Sequence, residues 1–373
     1  MVLRYRLAGM HHNEHMILIV SDAFKGTIGS LEVAQSLRGP CEDAGFPVTA
    51  LPLADGGEGT VDALVTCGYE AHQVEVTGPL GQPVSARWAS LNETAVIEMA
   101  QASGLHLVDP SPQTAWDAHT YGTGELIAHA IEYGCTRIVV GVGGSATSDG
   151  GRGALRAVKD AGVDTSGATF TVACDVDNPL TGPRGAAEVF GPQKGADRAT
   201  VARLEGRLVR WADQLDPTGR VRDVPGAGAA GGLGFALMAG LGADRVSGAE
   251  FVLSAVGFGE QLARASVVVT GEGQFDEQTL GGKGPGAVIA RAGAAGVPVI
   301  VVCGQAKLRP SDVGAGRGEE AGFSGAEVAE VFALTDFAPV QQCIAEPGRV
   351  LKEVGCALAA TVRDRGFCDG TSQ

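Results

Sequence analysis

The sequence predicts an α/β fold of two α/β domains with mainly parallel sheets, the second inserted into the first. Short apolar runs typical of buried parallel strands, such as residues 16–20 and 265–270, alternate with segments of helical periodicity. The chain has 373 residues, whereas a single core rarely grows beyond about 250–300 residues. Its 57 glycines indicate many tight connections between short elements.

The first domain is predicted from both ends of the chain, because each end alternates strands with helices. Before residue 78 we expect strands at 16–20, 48–53 and 72–76, with helices at 31–44 and 60–67 between them. After residue 263 we expect strands at 265–270, 298–303 and 331–333, and helices at 285–295 and 349–363. Residues 16–78 and 263–373 therefore form one discontinuous domain in this prediction.

The pattern changes near residue 78, where TGPLGQP precedes two runs that predict a β-hairpin, residues 84–88 and 94–98. The inserted domain is predicted to span residues 79–262 and to carry the glycine-rich loops. Its other expected elements are strands at 137–140 and 169–174 and helices at 122–133, 151–159 and 199–215. Because ligands bind at the carboxyl ends of parallel strands, we expect the active site at that edge of the sheets.

Composition excludes several classes of partner. A net charge of −15 disfavours nucleic acids and anionic membranes, and 5% aromatic residues disfavour a base-stacking surface. No apolar run approaches the ~20 residues that a membrane span needs. Eight cysteines without a CxxC motif indicate free thiols and a cytoplasmic protein, and the sequence is compatible with a homo-oligomer. Residues 1–15 are expected to be a disordered lead-in, and residues 307–325 a mobile loop.

The most distinctive stretch is CTRIVVGVGGSATSDGG, residues 135–151, in which small residues follow a buried strand. Glycine N–H groups can approach an anion without an intervening Cβ, and a helix beginning near residue 151 would point its positive end at the loop. The stretch predicts a phosphate-binding loop, although a plain strand–turn–helix connection has the same pattern. The residues expected to contact nucleotide phosphates are Gly143, Gly144, Ser145, Thr147, Asp149 and Gly150.

Two stretches resemble the fingerprint of dinucleotide-binding folds, GAGAAG at 226–231 and GVGGSA at 141–146. The first does not follow a strand pattern, and the second lacks a clear acidic residue about 20 residues further on. The chain also lacks the GxxxxGK[ST] motif of P-loop enzymes. A nicotinamide-dependent dehydrogenase is therefore a less favoured interpretation.

Acidic and basic residues recur among glycines after the predicted strands. Phosphoryl transfer needs cations for phosphate oxygens, carboxylates for Mg²⁺, and one carboxylate that accepts the proton of the attacking hydroxyl. Each acidic residue taken alone is more typical of a turn or a helix cap. The candidate cations are Lys25 and Lys283, with Lys194 as a further candidate. The candidates for the general base or a metal ligand are Asp55, Asp175 and Asp276. Asp149 is expected either to bind Mg²⁺ or to orient the loop.

Several of these residues stand in blocks that resemble the bacterial glycerate kinase family, the type unrelated to P-loop and ribokinase-like kinases. The resemblance runs from about residue 17 to residue 304. Two residues depart from the family pattern, since Ala23 replaces the usual Ser and Ser148 replaces a frequent Asn. The blocks are FKGT at 24–27, ADGGEGT at 54–60, TYGTGELI at 120–127, GGSATSDGG at 143–151, DVDNPL at 175–180, and the segment 270–283 that begins with TGEG.

The resemblance implies an ATP- and Mg²⁺-dependent kinase of D-glycerate that forms 2-phosphoglycerate or 3-phosphoglycerate. It also implies two α/β domains with the site between them. Three alternatives stay open at this point: a kinase for another small hydroxy acid, a nicotinamide-dependent dehydrogenase, and a sensor that binds a nucleotide without consuming it.

If Asp276 and Lys283 act in this site, the substitutions Asp276→Asn and Lys283→Ala should each lower the turnover of ATP and glycerate greatly while leaving the fold intact. A coupled assay of ADP release measures the turnover, and circular dichroism checks the fold. Near-normal turnover in either variant would remove that residue from the site.

Overall fold

The computed structural model of the chain describes residues 16–24, 26–281, 284–313 and 327–368. Its strands are β1 Met16–Ser21, β2 Val48–Pro52, β3 Glu70–Thr77, β4 Pro83–Leu91, β5 Thr94–Glu98, β6 Arg137–Gly141, β7 Thr169–Ala173, β8 Asp244–Val246, β9 Ala265–Phe275, β10 Val299–Ala306 and β11 Val328–Ala333. Its helices are α1 Ser30–Asp43, α2 Thr60–Thr66, α3 Ala100–Ser103, α4 Pro112–Asp117, α5 Tyr121–Glu132, α6 Arg152–Ala161, α7 Ala186–Phe190, α8 Arg198–Leu215, α9 Ala229–Leu241, α10 Gly248–Ala255, α11 Phe258–Leu262, α12 Pro285–Ala294, α13 Val340–Ala345 and α14 Pro347–Asp364.

The chain divides into two compact units. The first unit comprises the described residues up to 51, residues 257–280 and those from 288 onwards. Its five-stranded sheet has the order β11-β10-β9-β1-β2. All residues of β1 are buried, and β1 pairs in parallel with β9, which pairs in parallel with β10. Buried residues of α1 and α14 complete this core, as a parallel sheet covered by helices requires.

The second unit comprises residues 52–256 together with 281–287. Its six-stranded sheet has the order β3-β4-β5-β6-β7-β8, with antiparallel pairing of β3 with β4 and of β4 with β5. The pairing from β5 to β8 is parallel. The predicted β4–β5 hairpin is confirmed, as is the α/β class with two mainly parallel sheets.

The division lies at residues 51 and 256, whereas the sequence prediction placed the boundaries near 78 and 263. The physical reason is β3, which pairs along its whole length with β4, from Glu70 opposite Ser90 to Thr77 opposite Pro83. This strand and the turn at residues 53–59 therefore belong to the second unit. The two ends of the chain build the first unit.

Four predicted features lie outside the described residues. They are the lead-in at residues 1–15, most of the loop at 307–325, and the two candidate cations Lys25 and Lys283. Within the described part of the chain, no helix is both long and apolar enough to span a bilayer.

Candidate functional site

The loop between β6 and α6 has an accessible half and a buried half. Gly144 is exposed with a φ of +69°, and Gly143 and Ser145 are partly exposed, whereas residues 146–151 are buried. Ala146 N–H donates to Ser103 O and Gly150 N–H to Gly231 O. Among the residues that the structure describes, no acceptor is found for the N–H groups of Gly143, Gly144 and Ser145. These three N–H groups are therefore available to an anion.

Asp149 fixes the buried half of the loop to the start of α6. Its Oδ2 accepts hydrogen bonds from Thr120 N–H at 3.0 Å, Thr120 Oγ1 at 2.9 Å and Gly153 N–H at 3.0 Å, and its Oδ1 accepts from Gly151 N–H at 3.0 Å. Thr120 Oγ1 also accepts from Ala154 N–H at 2.9 Å. The first N–H groups of α6 are thus occupied by the protein itself, which favours an orienting role for Asp149 over a role in binding Mg²⁺.

Three side chains hold the carbonyl groups of the buried half, and we call them the carbonyl clamp: Lys194, Arg207 and Trp211. Lys194 Nζ donates to Thr147 O at 2.5 Å and to Ser145 Oγ at 2.9 Å. Arg207 Nη2 donates to Ser148 O at 2.7 Å, and Trp211 Nε1 donates to Gly150 O at 2.9 Å. The sequence had indicated only Lys194, since Arg207 and Trp211 lie on α8 without any motif.

Burial lowers the pKa of both cations in the carbonyl clamp. Lys194 is 2% exposed, and burial lowers the pKa of its ammonium group to about 7, with the Asp149 carboxylate opposing the shift. Burial also lowers the pKa of the Arg207 guanidinium, which stays charged at neutral pH. The Lys194 ammonium group is therefore about half protonated at pH 7 and approaches full charge only at lower pH.

The turn that carries Asp55 packs directly against the loop. A Cβ on Gly143 would lie 2.5 Å from Gly57 Cα, and one on Gly141 would lie 2.1 Å from Gly56 O, so a larger residue at either position would force these backbones apart. Asp55 Oδ1 accepts a hydrogen bond from Gly57 N–H at 3.0 Å. The predicted carboxylate and the predicted phosphate loop are thus brought together within the second unit.

Asp175 follows β7 and caps α10. Its Oδ1 accepts from Ser247 Oγ at 2.6 Å and from Gly248 N–H at 2.9 Å, and its Oδ2 accepts from Ala249 N–H at 3.0 Å. A Cβ on Gly248 would lie 2.0 Å from Asp55 O and 3.2 Å from Asp175 Oδ2, so the two acidic residues flank this glycine. Burial raises the pKa of Asp175, and the nearby charge of Asp55 raises it further, while its hydrogen bonds oppose both.

Asp55 and Asp175 supply carboxylate oxygens, which are the ligands that a magnesium ion prefers. In the described part of the chain, no three His, Cys, Asp or Glu side chains are grouped as a metal site. Mg²⁺ needs fewer protein ligands, since it is commonly held by one or two carboxylates together with substrate phosphates and water. Asp55 and Asp175 meet that requirement, since Asp175 is half-buried and one donor engages its Oδ2. Asp149 is less suited, because it is buried and its Oδ2 already accepts three hydrogen bonds.

Asp276 lies in the first unit, directly after β9. Its Oδ1 accepts from Gln278 N–H at 2.9 Å and its Oδ2 from Gln274 Nε2 at 2.5 Å, with Lys307 Nζ 3.7 Å away. The Gln278 N–H, the Gln274 amide and the Lys307 charge lower the pKa of Asp276, so this carboxylate is ionised at neutral pH. Its predicted roles as base or metal ligand stay predictions.

Sequence reasoning missed Glu98, a carboxylate at the end of β5 that is 1% exposed. Its Oε2 accepts from Val61 N–H at 3.2 Å, Gly59 N–H is a further donor, and Gln101 Nε2 lies 3.5 Å from Oε1. Burial raises the pKa of Glu98 to about 7 against these hydrogen bonds. Glu98 therefore anchors the turn that carries Asp55. The only sequence signal was an acidic residue that ends an apolar run.

Comparisons with known proteins agree on one family. The model of the glycerate kinase family matches residues 17–169 and 158–363. A glycerate kinase of Bacillus subtilis (strain 168) is 42% identical over 323 residues, covering 77% of this chain and 84% of that protein. A glycerate 2-kinase of Escherichia coli (strain K12) is 42% identical over 324 residues, with 77% and 84% covered. A crystal structure of a candidate glycerate kinase 2 from Salmonella typhimurium LT2 has a TM-score of 0.77 at 34% identity, covering 94% of this chain and 99% of that one.

The burial of Glu98 predicts a pH dependence of stability. Its pKa of about 7 in the folded chain lies above the value of 4.5 without burial. Its contribution is therefore complete below about pH 4.5 and is lost as the pH rises through 7, up to roughly 3 kcal/mol. The free energy of unfolding of the wild type should fall between pH 5 and 8, and that of the Glu98→Gln variant should fall less.

Tryptophan fluorescence in urea measures this effect, because the chain's three tryptophans, Trp88, Trp116 and Trp211, all lie in the second unit. Glu75→Gln, on the exposed part of β3, is the matched control and should keep the wild-type slope. An unchanged slope in Glu98→Gln would show that Glu98 is not the titrating group.

Proposed function

The chain belongs to the glycerate kinase family, and from this premise we propose that it transfers the γ-phosphoryl group of ATP to a hydroxyl group of D-glycerate. The two curated relatives named above support the choice of reaction. The name of the E. coli relative supports 2-phosphoglycerate as the product, with 3-phosphoglycerate as the alternative.

The observation that carries this proposal is the close approach of Gly57 to Gly143, where a Cβ on Gly143 would lie 2.5 Å from Gly57 Cα. It places a carboxylate-bearing turn beside N–H groups that are available to an anion. Phosphoryl transfer is catalysed mainly by positioning and by electrostatic stabilisation, so it needs this combination.

The accessible half of the loop is the proposed phosphate site. The N–H groups of Gly143, Gly144 and Ser145 would donate to phosphate oxygens of ATP. Lys194 holds Ser145 Oγ at 2.9 Å and thereby limits the positions that Ser145 can take. In this proposal Thr147, Asp149 and Gly150 shape the loop from behind, and they act on the nucleotide only through it.

Asp55 is the proposed general base. Both oxygens of Asp175 are engaged by donors at the start of α10, whereas in the described chain the hydrogen bond found for Asp55 is to Oδ1 alone. Asp55 Oδ2 would take the proton of the attacking glycerate hydroxyl. The hydroxyl oxygen then bonds to the γ-phosphorus, the bond from that phosphorus to the bridging oxygen breaks, and ADP leaves with that oxygen.

A magnesium ion bound with the nucleotide would supply positive charge that neutralises the phosphate oxygens. Asp175 is the residue of the second unit proposed to hold it, which leaves Asp55 Oδ2 for the proton of the substrate. Asp276, and the two cations Lys25 and Lys283 outside the described residues, stay proposed members of the site. Free thiols at all eight cysteines support a cytoplasmic location, which we propose as well.

The nicotinamide-dependent alternative is not favoured. In the first of the two stretches that suggested it, residues 226–231, the glycines allow close packing. A Cβ on Gly228 would lie 2.2 Å from Pro179 O, and one on Gly231 would lie 2.0 Å from Thr147 O. A kinase that acts on another small hydroxy acid would use the same phosphate loop, so substrate choice must be measured.

A coupled assay of ADP release with Mg²⁺-ATP and glycerate, lactate or tartronate tests the proposed function. We expect turnover with D-glycerate to exceed that with the other two acids. The Asp55→Asn variant should lose about 10²-fold or more in kcat, because an amide cannot accept the proton, while its KM for ATP changes little.

Asp62→Asn is the matched control, since Asp62 lies on the following helix α2 and pairs at the surface with Arg87. It should retain wild-type turnover. Absence of glycerate turnover in the wild type would refute the reaction, and near-normal kcat in Asp55→Asn would refute the role of Asp55.

A further inference from the structure

Two cations lie beneath the phosphate loop and have only neutral hydrogen-bond partners. Lys194 donates to a hydroxyl and a carbonyl, those of Ser145 and Thr147. Arg207 donates to two carbonyls, those of Ser148 and Trp116, both at 2.7 Å. Within the described residues, no carboxylate forms an ion pair with either side chain. Their charges are therefore not neutralised by a salt bridge.

The other charges near Arg207 do not cancel this excess. Asp149 and Asp117 attract the guanidinium, while Arg203 and Arg152 repel it. Of the two carboxylates only Asp149 also faces Lys194. The four cations thus face two anions in a chain whose net charge is −15. It is energetically unfavourable to bury Lys194 and to half-bury Arg207 without a paired carboxylate. An excess of positive charge is useful, however, in a site that binds a polyanion.

The positive charge reaches the accessible half of the loop through Ser145, whose Oγ accepts a hydrogen bond from Lys194 Nζ at 2.9 Å. Thr147 O and Ser148 O accept from the two cations, and the N–H groups on the other side of these two planar peptides are those of Ser148 and Asp149. A cation at the carbonyl end polarises each peptide and strengthens the positive end of its dipole. In the low dielectric of a buried site, the charges also act directly over several ångströms.

Neither cation is placed to touch the nucleotide. Lys194 is 2% exposed, and Arg207 is half-buried between Trp116 and the loop, with its guanidinium carbon 4.4 Å from the centre of the Trp116 ring. Any effect of these two cations on a ligand is therefore exerted without direct contact.

We propose that Lys194 and Arg207 are positioning residues that form a buried cationic base for the loop and raise its affinity for polyphosphate without contacting it. This inference rests on the proposed function, because it takes the accessible half of the loop as the phosphate site. It predicts an effect that grows with the charge of the bound nucleotide, in the order AMP, ADP, ATP. A purely structural role would weaken the three nucleotides equally.

Arg203 provides a matched control. Its guanidinium carbon lies 4.1 Å from the centre of the same Trp116 ring, yet Arg203 is exposed and no hydrogen bond to the loop is found for it among the described residues. Arg203→Gln removes the same charge from the same aromatic ring, but from a position screened by solvent and salt. Arg207→Lys keeps the charge and loses the bridge between the carbonyls of Trp116 and Ser148.

Isothermal titration calorimetry of the full chain with ATP, ADP and AMP tests the proposal at pH 6.5 and physiological salt, where most Lys194 side chains carry a proton. We expect Arg207→Gln to raise the Kd for ATP about tenfold, that for ADP less and that for AMP less than about twofold. Arg203→Gln should change each Kd less than about twofold, and Arg207→Lys should stay within about threefold of the wild type for all three.

Equal losses for the three nucleotides in Arg207→Gln, or losses in Arg207→Lys as large as those in Arg207→Gln, would overturn the proposal. If Arg207→Gln does not fold, the same titrations are made with Lys194→Met. The loss of affinity should again be largest for ATP, smaller for ADP and smallest for AMP. Wild-type protein that binds ATP but does not phosphorylate glycerate would refute the proposed function and leave this inference standing. Wild-type turnover together with equal losses in the variant would refute this inference alone.

Discussion

Two close backbone approaches, of Gly56 to Gly141 and of Gly57 to Gly143, determine where the chemical groups of the second unit can lie. A Cβ at either position on the β6 side would overlap the turn after residue 55. The approach is therefore open to glycine alone, and it brings Asp55 to the carboxyl end of the parallel strands. Asp175 reaches the same edge from β7, and Glu98 anchors the turn from β5.

In the loop between β6 and α6, some backbone polar groups bind other parts of the protein and others are accessible to a ligand. Asp149 takes the N–H groups at the start of α6, and the carbonyl clamp takes three carbonyl groups. The accessible half, residues 143–145, is the part of the loop that an anion can reach. These hydrogen bonds hold the buried half of the loop in place, and a phosphate site needs such rigidity to act by preorganisation.

Local features of this site were predictable from the sequence, and its long-range contacts were not. The β6 strand, the glycine loop and α6 follow from an apolar run, small residues and helical periodicity within 25 residues. Asp55 belongs to the second unit because β3 pairs with β4. The residues around Asp55 do not indicate this pairing. The donors that engage Asp149 and Asp175 come from Thr120 and Ser247, 29 and 72 residues away. The sequence therefore identified both carboxylates, but it could not show whether each one caps a helix or binds a ligand.

The central claim is that the accessible half of the loop binds phosphate while the buried half is held by the protein. Hydrogen–deuterium exchange resolved to single amides tests it directly. Addition of Mg²⁺-ATP should slow exchange at Gly143, Gly144 and Ser145, while Gly151 and Gly153, which donate to Asp149, should exchange slowly with or without nucleotide. Unchanged exchange at residues 143–145, with nucleotide-dependent protection at Gly151 and Gly153 instead, would contradict the account.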